Sequence, residues 1–218
     1  AGAGPATSTT NDQESGVDEP DIMKTDGNRV VTITDGVLRV TDAQTEQVSG
    51  SLDLTIYDGW QNAQLLVDGD HALVLLDTYA GGYYGPAAMG PMQPGSGSHT
   101  TALFVDLAGN PTVTGSVRAT GGYLAARLVD DTVRLVVASA PTINFPRNSR
   151  PSQARNRAII GSAPLTAWQP SYTITAGGAT SQRRVPCQSI SHPAHYTHTS
   201  LVTVSTLHIA YPNGGAAP

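Results

Sequence analysis

Charge is scarce in this sequence. Asp, Glu, Lys and Arg make up 13% of the 218 residues, about half the share of an ordinary soluble domain. The net charge of −5 leaves no basic surplus for holding nucleic acid or an anionic membrane surface, so neither is expected as a partner. No apolar run reaches the roughly 18 residues that a membrane span needs, and no transmembrane segment is read. Cysteine is confined to Cys187, which excludes an internal disulfide and says nothing of redox compartment. A buried thiol is expected there; a reactive one would need an electropositive surround, which Arg183 and Arg184 could provide. The small-residue opening AGAGPATSTTNDQ is of the kind that follows a removed export signal, so an exported chain is expected.

Turn formers are plentiful instead. The 23 Gly and 15 Pro, set among Thr, Ser and Val, point to short strands joined by tight turns, an all-β chain. Three segments align without gaps: DIMKTDGNRVVTIT (21–34), AQLLVDGDHALVLL (63–76) and AARLVDDTVRLVVA (125–138). Each reads as strand, turn, strand, with Asp26, Asp68 and Asp130 at the turn. Asp-Gly at 26–27 and 68–69 predicts two-residue hairpin loops. A second unit also repeats, LRVTDAQTEQVSGSL (38–52) against LFVDLAGNPTVTGSV (103–117), and LVTVSTLHI (201–209) begins a third copy.

The first two hairpins lie 42 residues apart and the next two 62 apart, the excess being the Gly, Pro and Met-rich stretch 79–98. A four-stranded unit of this length has the dimensions of a propeller blade. The expected fold is a partial β-propeller of about two and a half four-stranded blades. It occupies 16–209 between a lead at 1–15 and a tail at 210–218, with insertions at 79–98 and 140–199. Within the second insertion, SRPSQARNRAIIG predicts one short helix, started near Pro151 and stopped by Gly161. Its arginines, Arg147, Arg150, Arg155 and Arg157, could serve a phosphate or carboxylate site, but a solvated helix face or internal ion pairs is the expected reading.

Asp26 recurs in every hairpin and is a turn former, whereas Asp18, Glu19 and Asp21 occur in the first unit alone. Placed at the start of an innermost strand, they are the candidate cation or ligand site, and Ca²⁺ is the hard cation that carboxylates there would take. The structural alternative is that they accept backbone N–H groups or pair with Lys24 or an arginine of a neighbouring blade. His192, His195 and His198 recur every three residues, but Pro193 argues against the helix that would align them on a metal. No nucleophile elbow, zinc-protease, paired-cysteine or phosphate-loop motif occurs, so no catalytic and no metal residue is assigned. Tyr83, Tyr84, Trp168 and Tyr172 lie in the insertions and form a candidate surface platform for glycan or peptide.

Thr10, Asn11, Gln13, Gly16, Val17, Asp18, Glu19, Asp21, Ile22, Lys24, Thr25, Asp26 and Gly27, followed by LRVTDA, resemble the opening blade of the bacterial and archaeal secreted proteins with a C-terminal β-propeller domain. Asn156, Arg157, Trp168, Pro170, Tyr172, Cys187 and Pro193 are similar to the long third-blade insertion of actinobacterial members. Gln169 stands where Leu is usual, and His208 where an acid is usual. The resemblance implies an exported, surface-associated propeller without implying a reaction.

Two functions are expected from different classes. One is an extracellular binding or scaffold module that uses the insertions as its contact surface, with a protein or glycan partner at the cell surface. The other is a hydrolase or lyase working through Asp18, Glu19 and Asp21 in the channel. With too few blades to close a ring, the chain is expected to be a fragment that self-associates through open blade edges and apolar faces on strands 30–33, 73–76 and 133–137.

Overall fold

The computed structural model describes residues 16–78, 98–145, 152–192, 194–195 and 200–211. These form three antiparallel sheets. Blade one holds β1 (Met23–Thr25), β2 (Arg29–Thr34), β3 (Val37–Asp42) and β4 (Val48–Asp53), in that order outward. Blade two repeats the pattern with β5 (Gln64–Asp68), β6 (His71–Asp77), β7 (His99–Asp106) and β8 (Thr112–Thr120). Blade three has β9 (Gly122–Val129), β10 (Thr132–Ser139) and, after the long insertion, β13 (Leu201–His208).

The repeat extends to its irregularities. β3–β4 and β7–β8 each carry a bulge one step after Val40↔Gly50 and Phe104↔Gly115. The displaced residue returns its hydroxyl to the facing strand in both: Ser49 Oγ donates to the Val40 carbonyl and Thr114 Oγ1 to that of Phe104. The hairpin loops differ from expectation. Asp68 pairs with His71, so the loop residues of blade two are Gly69 and Asp70, and in blade one Asp26 closes a loop of Gly27 and Asn28. Asp26 acts from the strand end, where Oδ1 accepts the amides of Asn28 (2.9 Å) and Arg29 (3.0 Å). The Asp-Gly loop with positive φ at both positions is Asp35-Gly36, between β2 and β3.

Strand alternation builds two cores. On blade two Leu65, Ala72, Val74, Leu76, Leu103 and Val105 meet Val31, Ile33, Leu38 and Val40 of blade one. Their neighbours Leu66, Leu73, Leu75, Ala102, Phe104 and Val117 meet Leu128, Val133, Leu135, Val137 and Leu207 of blade three. The strands expected to expose apolar faces therefore spend them between blades, and Leu73–Leu76 is buried on both sides. Exposed apolar side chains lie elsewhere, among them Ile56 of the linker between blades one and two and Leu124, Val129, Val202 and Val204 on blade three.

The second insertion does more than interrupt blade three. Its helix α1 (Gln153–Ser162) is capped by Ser152, whose side chain accepts the Arg155 amide, and buries no residue. Gly161 lies inside the last turn rather than beyond it, with Ala163 as the cap. A hairpin follows, β11 (Ser171–Ala176) and β12 (Ala179–Arg184), turning on Gly177 and Gly178. β11 pairs with β8, so blade two widens to six strands. Cys187 falls in a one-turn 3-10 helix beyond β12 and is exposed, contrary to the buried thiol expected, because among the described residues no further layer covers the outer edge.

Gly59 sets the path from blade one to blade two. Its φ is +86°, and a Cβ there would stand 2.7 Å from the carbonyl carbon and 2.8 Å from the carbonyl oxygen of Asp77. Gly59→Ala is expected to destabilise the fold by about 2–4 kcal/mol, read by urea denaturation. An unchanged midpoint would show that the linker is free to move.

Candidate functional site

The first-blade carboxylates sit where the chain crosses the inner strands. Asp18 exchanges backbone hydrogen bonds with Leu128 on β9 (2.8 and 2.9 Å), and Asp21 does so with Leu65 on β5 (3.1 and 2.7 Å). Side chains follow the same logic. Lys24, 8% exposed, places Nζ 2.6 Å from Asp18 Oδ1. Glu19 Oε1 lies 2.7 Å from Arg127 Nη2 across the gap to blade three, and Asp21 Oδ1 accepts the Ile22 amide at 2.7 Å. The three carboxylates thus meet Lys24, Arg127 and the Ile22 amide. Among the described residues no group of three or more His, Cys, Asp or Glu is gathered to hold a metal ion.

A cavity of about 230 Å³ opens beside them at the hairpin-turn mouth, lined by Asp18, Lys24, Asp26, Asp68 and Asp130. The repeat thus brings its turn aspartates to one end of the blades. Arg29 ties the rim: Nε pairs with Asp26 Oδ2 and Nη2 with Asp70 Oδ1, both at 2.9 Å, and the guanidinium also donates to the carbonyls of Gly69 and Leu107. Burial pushes the Asp26 carboxyl upward, but the amides of Asn28 and Arg29 and the Arg29 charge outweigh it, so its pKa lies below the ordinary carboxylate value. Burial raises the pKa of the Tyr123 phenol at the start of β9.

The opposite end of blade two carries a site that the sequence reading missed. Because β11 extends the sheet beyond the four repeat strands, a notch of about 260 Å³ forms on the face toward blade one. Tyr57 and Asp58 of the inter-blade linker line it with His99, Thr101, Leu103, Ser116, Arg118, Thr173 and Thr175. Arg118 Nη2 is 3.0 Å from His99 Nδ1. A guanidinium has no acceptor, so Nδ1 accepts and the imidazole carries its proton on Nε2, 4.0 Å from Asp58 Oδ2. One signal in the sequence points to the notch: all 17 Asp and Glu precede residue 132, so the insertion that builds its outer wall is free of acids.

The expected platform divides. Tyr172 turns inward with Ile174 and packs on the core between blades two and three, while its neighbours Thr173 and Thr175 face the notch. Trp168 is half-buried in the turn leading to β11. Tyr83 and Tyr84 lie outside the described residues. His192 and His195 are exposed and non-helical, and His198 also lies outside the described residues. Gln169 directs Nε2 to the Val185 carbonyl (3.1 Å) and to Cys187 Sγ (3.4 Å), a use for the amide where Leu was expected.

The family described as Beta propeller domain matches residues 7–217. The chain belongs to this family. Neither a curated protein nor a solved structure matches the propeller chain. Membership accounts for the repeated blades; the widened sheet and its notch are described by the geometry alone.

The depressed Asp26 pKa has a definite pH consequence. A carboxyl whose folded pKa is lowered adds stability above its unfolded value, about pH 4, and loses it as pH falls toward the folded value. Asp26→Asn keeps an oxygen for the two amides and removes the charge. Its stability is expected to fall less than the parent's between about pH 5 and pH 2, measured by urea denaturation. Parallel curves for the two proteins would remove the Asp26 charge from the account.

Proposed function

We propose that the chain is an extracellular binding module, with the insertions forming the contact surface on a propeller frame. The observation that carries this reading is the β11–β12 hairpin. It adds two strands to blade two and encloses a polar notch that four repeat strands alone would leave open. Thr173 and Thr175 of the second insertion line this place, with His99, the residue that follows the first. The channel reading has less support, because Asp18 is paired with Lys24 and Glu19 with Arg127 of blade three.

The ends of the first insertion are held together, since the Thr78 amide donates to the His99 carbonyl (3.0 Å) and the His99 amide to Thr78 Oγ1 (3.0 Å). Replacing 79–97 by Asn-Gly is therefore expected to keep the β circular dichroism and the melting transition, while weakening binding of purified surface glycans measured by biolayer interferometry. Loss of the β signal would make that segment part of the frame. Unchanged binding would remove it from the contact surface.

A further inference from the structure

We infer that the notch on blade two binds a carboxylated saccharide, with Arg118 receiving the carboxylate. This rests on the binding-module reading and names its ligand class. Three cross-strand rows build the surface: His99, Thr120, Ser171 and Arg184; Thr101, Arg118, Thr173 and Gln182; Leu103, Ser116, Thr175 and Thr180. Cross-strand partners share a sheet face, so Arg184 and Gln182 of β12 extend the face on which Arg118 stands.

Arg118 is what separates this surface from a merely polar one. Its partner is the neutral His99 ring, and among the described residues no carboxylate lies within ion-pairing distance of it. The adjoining segment 79–98 contains neither Asp nor Glu, and none follows Asp131, so those stretches cannot supply one. Arg29 and Arg127, by contrast, are both paired with carboxylates. A planar guanidinium with no carboxylate partner among the described residues matches a carboxylate through two parallel hydrogen bonds.

The rest of the lining selects a sugar. Thr101, Ser116, Thr173 and Thr175 present hydroxyls that both donate and accept, as vicinal ring hydroxyls require. Tyr57 supplies an aromatic edge for the apolar side of a pyranose, and Asp58, 77% exposed at the rim, an acceptor for a ring hydroxyl. A phosphate would seek a helix N-terminus or a nest of amides, whereas the amides here are spent in the β7–β8–β11 ladders. An extended peptide would add along the outer edge of β12 rather than onto a paired face. Arg184 lies two strands and one residue pair from Arg118, on the order of 12 Å between Cα atoms, and so can meet a second carboxylate farther along a glycan chain.

Isothermal titration of the full chain with trimers of galacturonate, glucuronate and mannuronate tests this, against a neutral galactose trimer and triglutamate. At least one uronate is expected to bind tenfold or more tightly than both controls. Arg118→Gln should weaken it at least tenfold and Arg184→Gln severalfold, while Arg155→Gln on α1 leaves it unchanged; circular dichroism confirms that each variant is folded. No uronate binding, equal binding of triglutamate, or an unchanged affinity in Arg118→Gln overturns the assignment. Thr175→Trp, which fills the notch, separates this from the wider reading. If the neutral trimer binds and Thr175→Trp abolishes that binding, the module stands and the carboxylate assignment falls. If no probe responds to Thr175→Trp, the notch is not a binding site and both readings fall.

Discussion

The stretch from Asp18 to Asp21 hydrogen-bonds at its two ends to the innermost strands of blades three and two. An innermost strand has a partner on its outer side and an unpaired edge toward the channel, and unpaired edges are places where a sheet recruits foreign strands or frays. Here the chain covers part of two such edges with its own backbone at Leu65 and Leu128 before turning back as β1. The acidic side chains complete the joint through Lys24 and Arg127. Their clustering places them beside the neighbours met at the blade axis.

Blade two depends on that joint because its strand β6 carries apolar side chains on both faces. β6 is buried from Ala72 to Leu76, its alternate residues feeding the cores toward blades one and three. Such a strand is stable only between two partners, and fixing the inner edge holds both in place. At one end of β7 and β8 and along the added β11, the face toward blade one opens into the notch. There the lining changes from Leu and Val to Thr, Ser and Arg, and the notch appears. The notch thus follows from unequal blade widths.

Much of the frame was legible because it repeats. Strand identity, hairpin positions and the partners Gly50 and Gly115 could all be read by aligning the chain with itself. Whether Asp18 and Glu19 were a site or a joint stayed open in the sequence, since Lys24 is six residues from Asp18 but Arg127 lies in another blade. Loop registers were misread by one residue at Asp26-Gly27 and Asp68-Gly69, because Asp-Gly favours a turn without saying which residue closes it. The pairing of β11 with β8 is nonlocal and has no repeat to betray it. Thr173, Arg118 and His99 came together only through that pairing, and Cys187 followed β12 to the outside for the same reason.

The joint at the blade axis is tested most directly by its buried ion pair. Asp18→Asn leaves the Lys24 ammonium buried without its counter-charge, which costs on the order of 2–4 kcal/mol. Urea denaturation at neutral pH should show a loss of that size, and adding Lys24→Met to the same chain should recover most of it. A single Asp18→Asn variant within about 0.5 kcal/mol of the parent, with the second substitution changing nothing, would contradict the claim that these carboxylates hold the blades together.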